Sequence, residues 1–280
     1  MASDLIVLML LKAQAATSVA ILLVLVLRVP VRRLLGAELG YLLWALVPAV
    51  ALASLFPSLP QFRDRAALRG LLSTLSTLSA PGLTPARAAE LAWLAGAASL
   101  AAAFAYGQWR FERCARAGRA GPAATGFWPR MVTPGDYADR FTLEERDLIR
   151  SHERVHMARR DPTTNLLIAF LQTISWFNPL AHLAARLARM DQELSVDAQV
   201  MARRPNDRRR YAETLLKAYT HGFHSPLACA LAQGGRHPLE VRLALLGMRR
   251  ISVGRDLFGV FAIGAVGVAA IAALWSLAPG

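Results

Sequence analysis

The 280-residue chain is 55% hydrophobic, with a positive mean hydropathy, yet carries a formal net charge of +13. A soluble domain of this size has no use for so much apolar material. Its concentration in a few long runs, with the charge between them, is the layout of a membrane protein with basic loops. Two cysteines, Cys114 and Cys229, are too few for a disulfide framework and are expected to be reduced and structural.

The first apolar run, residues 5–27, is interrupted by Lys12 and Gln14 and is long enough to cross about 30 Å of hydrocarbon. Asp4 at its start and its length both argue against a cleaved signal peptide. Residues 39–56 and 88–106 are expected to form a second and a third span, the latter with Glu90 near one end. Residues 257–277 form the fourth, rich in the Gly and Ala that suit close helix packing. Arg28, Arg32 and Arg33 follow the first span, Arg110 and Arg113 follow the third, and Arg249, Arg250 and Arg255 precede the fourth. With four alternating spans these groups share one side, which assigns the intervening region to the cytoplasm and both ends to the periplasm of a bacterial inner membrane. Three parts follow: an N-terminal membrane domain over 1–106, a cytoplasmic domain over 107–256 and a C-terminal helix over 257–280.

The Arg excess, including Arg208, Arg209 and Arg210 and the cluster at 113–119, reads as topology and anionic-lipid contact. No reader helix with base-contacting residues accompanies it, so direct nucleic-acid binding is not expected.

The cytoplasmic region reads as helical. Thr142-Leu-Glu-Glu145 is a capping-box pattern opening a helix to about Arg160, ahead of Asp161-Pro162. A second helix is expected over 164–176. Asn178-Pro179 marks an N-cap and a first-turn proline for a third, running to about Arg203. Asn206 opens another, ending near Gly222, and 238–247 is a last short one. Residues 126–134 are the one expected strand. Residues 166–187 resemble a fifth span, but Gln172, Asn178-Pro179 and His182 point to a core or interface-lying hairpin.

His152-Glu153-Arg154-Val155-His156 is an HExxH pattern in the middle of the capped helix. Positions four apart share a helix face about 5–6 Å apart, so two imidazoles can reach one Zn2+. Glu153 points elsewhere and is free to take a proton from an attacking water. Glu193 and Asp197, four apart on the following long helix, are either the third ligand with a supporting carboxylate or a solvated acidic face. His182 is expected to be a packed histidine, whereas His221, His224 and His237 lie in a loop-rich stretch.

Phe127 to Pro134, Phe141-Thr-Leu-Glu-Glu-Arg-Asp-Leu-Ile-Arg-Ser-His-Glu-Arg-Val-His156, Arg159, Asp161, Asn165, Trp176-Phe-Asn-Pro-Leu180 and Glu193-Leu-Ser-Val-Asp197 occur in order. This series resembles the membrane metalloproteases of the BlaR/MecR type, the antirepressor sensor-transducers of β-lactam resistance. The resemblance covers about residues 120–247 and implies a mainly α, polytopic membrane protein with a helical gluzincin domain between its third and fourth spans. It implies one Zn2+ held by His152, His156 and Glu193, Glu153 as base and Asp197 in support of a ligating imidazole. Asp161, Asn165 and Asn178 match family positions too and read here as residues that end or start helices. Arg242 stands where the family has a basic residue, with an oxyanion contact or a lipid or carboxylate contact as its two readings. Val196 replaces a frequent cysteine at a position that need not bind metal.

The implied activity is cleavage of a cytoplasmic protein, such as a helix-turn-helix transcriptional repressor, during signal transduction, with self-cleavage as a further option. A non-catalytic zinc-containing signalling scaffold is the alternative, although a structural zinc site normally has four protein ligands. The family's sensors carry a penicillin-binding domain beyond the fourth span, whereas this sequence ends at Gly280, so direct β-lactam sensing is not expected of it. The segment around Phe127–Val132, ahead of the zinc helix, is expected to pair with an extended substrate, a packed hairpin being the other reading. Membrane lipids are expected partners; a homo-oligomer is compatible with a sequence that leaves the oligomeric state open.

Overall fold

The computed structural model describes residues 2–55, 84–220, 238–246, 259–260, 263–267, 269 and 272. The loop preceding residue 84, Cys229, His221, His224, His237, the Arg249–Arg255 flank and most of the fourth expected span lie outside them. The described part is mainly helical, with one small hairpin.

Helix α1, Ala2–Leu35, ends in Arg32 and Arg33, cations that complement the carbonyls of its last turn. Gly36 then takes φ 98°, a left-handed conformation that glycine adopts without strain, and the chain turns back into α2, Ala37–Leu42. A 3-10 turn, Leu43–Ala45, links α2 to α3, Leu46–Leu55. Pro48 accounts for that turn, since its ring clashes with the carbonyl four residues earlier, at Trp44. Helix α4, Pro85–Arg116, starts on a Thr84 cap with proline in the first turn and runs well past the apolar stretch into Arg110, Arg113 and Arg116. Among the described residues, Met9–Leu35, Ala37–Leu55 and Pro85–Arg116 are the three stretches long and apolar enough to cross a membrane.

An antiparallel hairpin follows: β1, Ala123–Thr125, and β2, Arg130–Val132, pair in the register Ala124↔Met131. After a short α5, Tyr137–Arg140, come α6, Leu143–Ala158, and α7, Asp161–Ile174. Then follow α8, Pro179–Arg203, α9, Arg208–Thr220, and α10, Pro238–Leu245. The capping box is present, with Thr142 accepting from the Glu145 amide and Glu145 accepting from the Thr142 amide, an arrangement worth about 1 kcal/mol. Helix α7 begins three residues earlier than expected. Arg160 breaks the chain with φ 56°, and Pro162 falls within the first turn, where its missing N–H is not needed.

Helices α7 and α8 form the hairpin expected at 166–187, but it is driven in among the spans rather than laid flat upon them. At its turn, Gln14 of α1 donates to Ser175 and Asn178 donates to Ser18. Trp93 of α4 donates to the Ile174 carbonyl, and Gly96 passes so close to Trp176 that a Cβ there would collide with the indole. Midway along α8, Asp191 meets Arg28 and Arg32. Gln14 and Arg28 are about 21 Å apart along α1 at 1.5 Å per residue, so the hairpin descends that far beside the first span. Its polar turn is tolerated at that depth because side chains from α1 and α4 satisfy it. His182 is packed inside the hairpin between Gln172 and the Trp176 carbonyl.

Two apolar clusters share α8. Ala184 and Ala188 join Ala20, Val24, Leu43 and Val47 of the spans, together with Ile263 from the fourth apolar stretch. Val196, Val200 and Met201 join Leu148 and Val155 of α6 and Tyr211 of α9. Asp191 sits between the clusters and is fully buried. It accepts two hydrogen bonds from Arg28, one from Arg32 and one from the Trp44 indole, all at 2.8–2.9 Å. Truncating it leaves two largely buried guanidinium groups without a counter-ion. Asp191→Ala is therefore expected to cost about 3–5 kcal/mol of folding free energy, read as a lower unfolding midpoint in mixed detergent micelles.

Candidate metal centre and cleft

His152 and His156 leave the same face of α6 and are both buried. The Asn178 cap starts α8, whose second half brings Glu193 and Asp197, also four apart, up to that face. The two Nε2 atoms of the imidazoles face one another at 3.1 Å. Glu193 closes the triangle, with Oε2 3.5 Å from His152 Nε2 and Oε1 3.5 Å from His156 Nε2.

The surroundings fix both tautomers. Asp161 accepts from His156 Nδ1 at 2.8 Å, and an ionised carboxylate only accepts, so the ring must donate there. Tyr211 donates its hydroxyl to Asp197 at 2.7 Å, so its oxygen accepts from His152 Nδ1 at 2.8 Å. Each ring therefore turns its Nε2 toward the other, and two lone pairs converge there once both rings are neutral, as metal binding requires.

Such an arrangement calls for positive charge. Burial pulls the His152 imidazole down, but hydrogen bonds to Asp197 and Glu193 outweigh it and push the ring up to about 9. Burial raises Glu193 and Asp197, yet the Arg242 guanidinium and the imidazoles hold both carboxyls well below their usual range. Tyr211 is pushed up by burial and by the charge of Asp197, so it stays a phenol able to donate. Tetrahedral zinc with bonds of about 2.0–2.2 Å sets its donors about 3.3–3.5 Å apart, close to the edges of this triangle. Two neutral imidazoles and one carboxylate leave a fourth position open, as catalytic zinc requires. The residues fit one divalent ion, and His152, His156 and Glu193 are the group whose donor atoms lie within 4.8 Å of one another.

All six residues singled out in the sequence meet here. Glu153 is buried and lines a cleft of about 400 Å3 together with His152, His156, Glu193 and Arg242. Of the two readings for Arg242, the structure shows the carboxylate contact: Nε and Nη2 bind Asp197 at 2.8 Å, and Nη1 lies 3.0 Å from Glu193. Met131 and Val132 do not line the cleft. The hairpin contributes residues 121–127 to the cleft wall, so β1 rather than β2 lies along the opening, and of the expected segment Phe127 reaches it.

Tyr211 and the orienting role of Asp161 escaped the sequence reading. Asp161 follows His156 by five residues and looked only like a helix boundary; Tyr211 stands in an Arg-rich run without any motif. Asn165, read as structural, also lines the cleft, with its buried Oδ1 lacking a partner among the described residues.

The family model of the BlaR1 peptidase M56 matches residues 8–113 and 114–246, which takes in the spans as well as the cleft. This chain belongs to the M56 peptidase family. Regulatory protein BlaR1 of Bacillus licheniformis is 29% identical over 92 residues, covering 32% of this chain and 15% of that protein. The chain thus matches only a small part of that relative's length. No solved structure matches it. An M56 peptidase whose family match runs through three apolar helices is a membrane protein, and its one His/His/Glu cluster among the described residues lies within the second matched segment.

Removing the groups that orient the rings tests the centre without touching a donor. Tyr211→Phe and Asp161→Asn are each expected to weaken Zn2+ binding about 10–100-fold, measured by competition with a chromogenic chelator, with helical circular dichroism unchanged.

Proposed function

We propose that this chain is a zinc endopeptidase of a bacterial inner membrane that cleaves a protein on the cytoplasmic side as part of signalling. The observation that carries the proposal is the convergence of two Nε2 lone pairs and one carboxylate, each imidazole oriented through its Nδ1, on a cleft that also contains Glu153. Zinc held by His152, His156 and Glu193 supplies a Lewis acid and lowers the pKa of water toward about 7. Glu153, next to His152 on α6 and so turned about 100° from it, stays outside the ligand set. It takes the proton of the attacking water and delivers it to the leaving amine. Asp161 and Tyr211 keep the rings in the ligating tautomer, and Arg242 balances the charge of Glu193 and Asp197.

The β1 edge beside the cleft is suited to adding an extended peptide as a further strand, with the unpaired Asn165 Oδ1 available to accept from a peptide N–H. Arg28, Arg32, Arg110, Arg113 and Arg116 crowd the site end of the spans, which favours a cytoplasmic cleft. The similarity to regulatory protein BlaR1 of Bacillus licheniformis supports a substrate in gene control, such as a repressor.

Glu153→Gln is expected to keep one zinc per chain by elemental analysis while lowering peptide hydrolysis at least about 100-fold. Unchanged hydrolysis would remove Glu153 as the base, and a wild type that binds zinc but cleaves nothing would favour the scaffold. Ala124→Pro, which spoils the β1 edge, is expected to abolish cleavage with zinc affinity kept, whereas Met131→Ala leaves cleavage near wild type.

A further inference from the structure

The hairpin turn and the outer face of α7 carry a run of large apolar side chains that the described residues leave exposed. Phe127 is 64% and Trp128 77% exposed, and Leu166, Leu167 and Phe170 are each about half exposed. Ala169 and Gln172, on the opposite face of α7, are buried, so the exposed face is the outer one. The two parts are joined, since Thr163 at the start of α7 donates to the Phe127 carbonyl. A patch of this size facing water is costly.

Its depth can be read along α4. Trp93 bonds to the C-terminal end of α7, at Ile174, while Gln108 contacts Thr125 of β1, so α7 and the hairpin together lie beside residues 93–108 of a spanning helix. The apolar window of that helix has none of its residues buried by the described part of the fold, the exposure expected of a helix that faces lipid. At the level of Gln108, Tyr106 and Trp109 stack on each other, and Arg113 lies over the Trp109 ring. Exposed aromatics with arginines at a helix end mark the headgroup boundary. Phe127 and Trp128 sit at the same level.

We propose that the hairpin turn and the outer face of α7 are immersed in lipid, Phe127 and Trp128 at the headgroup boundary and Leu166, Leu167 and Phe170 in the hydrocarbon. Phe127 and Leu166 also line the cleft, so its mouth opens at the bilayer surface rather than in bulk water. On the protease reading, a substrate segment must enter along the membrane surface, as a juxtamembrane or membrane-adsorbed stretch does. The lipid contact itself does not require that reading.

Site-directed spin labelling of the full chain tests it. Trp128→Cys, Phe170→Cys and, as the boundary reference, Trp109→Cys are made in a Cys114→Ser, Cys229→Ser background. They are reconstituted at one copy per nanodisc of phosphatidylcholine and phosphatidylglycerol. Label 170 is expected to relax several-fold more with oxygen than with a water-soluble nickel chelate, and label 128 to match label 109. Preference for the nickel chelate at both 128 and 170 places the patch in water and overturns the proposal. Protection from both reagents means that protein covers it, a second copy or a segment of this chain, and overturns it equally. The readout is independent of hydrolysis, so an inactive protein with labels in lipid would fail the protease reading alone.

Discussion

The structure depends on one saturated carboxylate. Asp191 is buried where the two apolar clusters meet, and all of its hydrogen bonds come from the first two spans: Arg28, Arg32 and Trp44. A carboxylate in such a place is tolerable only because it is paired and fully hydrogen-bonded. Two residues on along α8, Glu193 projects about 200° away, toward α6. Fixing one side of that helical turn against α1 therefore fixes where the other side aims its carboxylate. The metal triangle inherits its geometry from the membrane end of the fold as much as from α6.

From that turn the remaining polar groups arrange themselves in two directions. Toward α6, Asp197 gathers Arg242 and Tyr211, and Tyr211 passes the constraint to His152. Toward α2, Arg159 contacts Asp161, donates to Ser195 and lies over the Tyr41 ring, whose hydroxyl accepts from Gln192. Asp161, held this way, orients His156. Each imidazole is thus positioned by an acid with a basic partner of its own, one chain leading to α9 and α10 and the other to the spans. That division explains why Asp161 and Asp197 are buried behind the rings at their Nδ1 sides, while the partly exposed Glu193 faces both Nε2 atoms.

Much of this was legible before any coordinates. The capping box, the Asn-Pro start of α8 and the four-residue spacings of His152/His156 and Glu193/Asp197 are local signals, and local signals survive into the fold. Apolar length likewise placed the first three spans. What escaped depends on partners distant in the chain. Asp191 is one acid in an acidic stretch, and its three partners stand 147–163 residues away, so neither period nor composition distinguishes it. Tyr211 reads as the apolar member of a polar helix until Asp197 is seen beside it. That β1 rather than β2 lies along the cleft depends on how the hairpin packs on α6, and a run of polar and apolar residues does not record it. The depth of the α7–α8 hairpin was hidden for the opposite reason. Gln172, Asn178 and His182 look too polar to pack among apolar helices, and only their pairing with each other, Gln14, Ser18 and Arg189 makes them acceptable there.

That hairpin also ties α8, which carries Glu193, to the apolar spans. A glutamate on a freely tethered helix would need its own packing on every side to hold a donor within a few tenths of an ångström. Here the first half of the helix has lateral support from the spans, from Asn178 against Ser18, through Ala184 and Ala188 among the span side chains, to Asp191 on the arginines of α1. The opposite wall of the cleft is fixed to a different span, with β1 held at Gln108 and α7 at Trp93 of α4. The two walls between which a peptide would lie are therefore referred to separate membrane helices, and α6, with its imidazoles, bridges them. The width of the cleft is set by how α1 and α4 stand relative to each other, a distance that a soluble domain alone would have no means to fix.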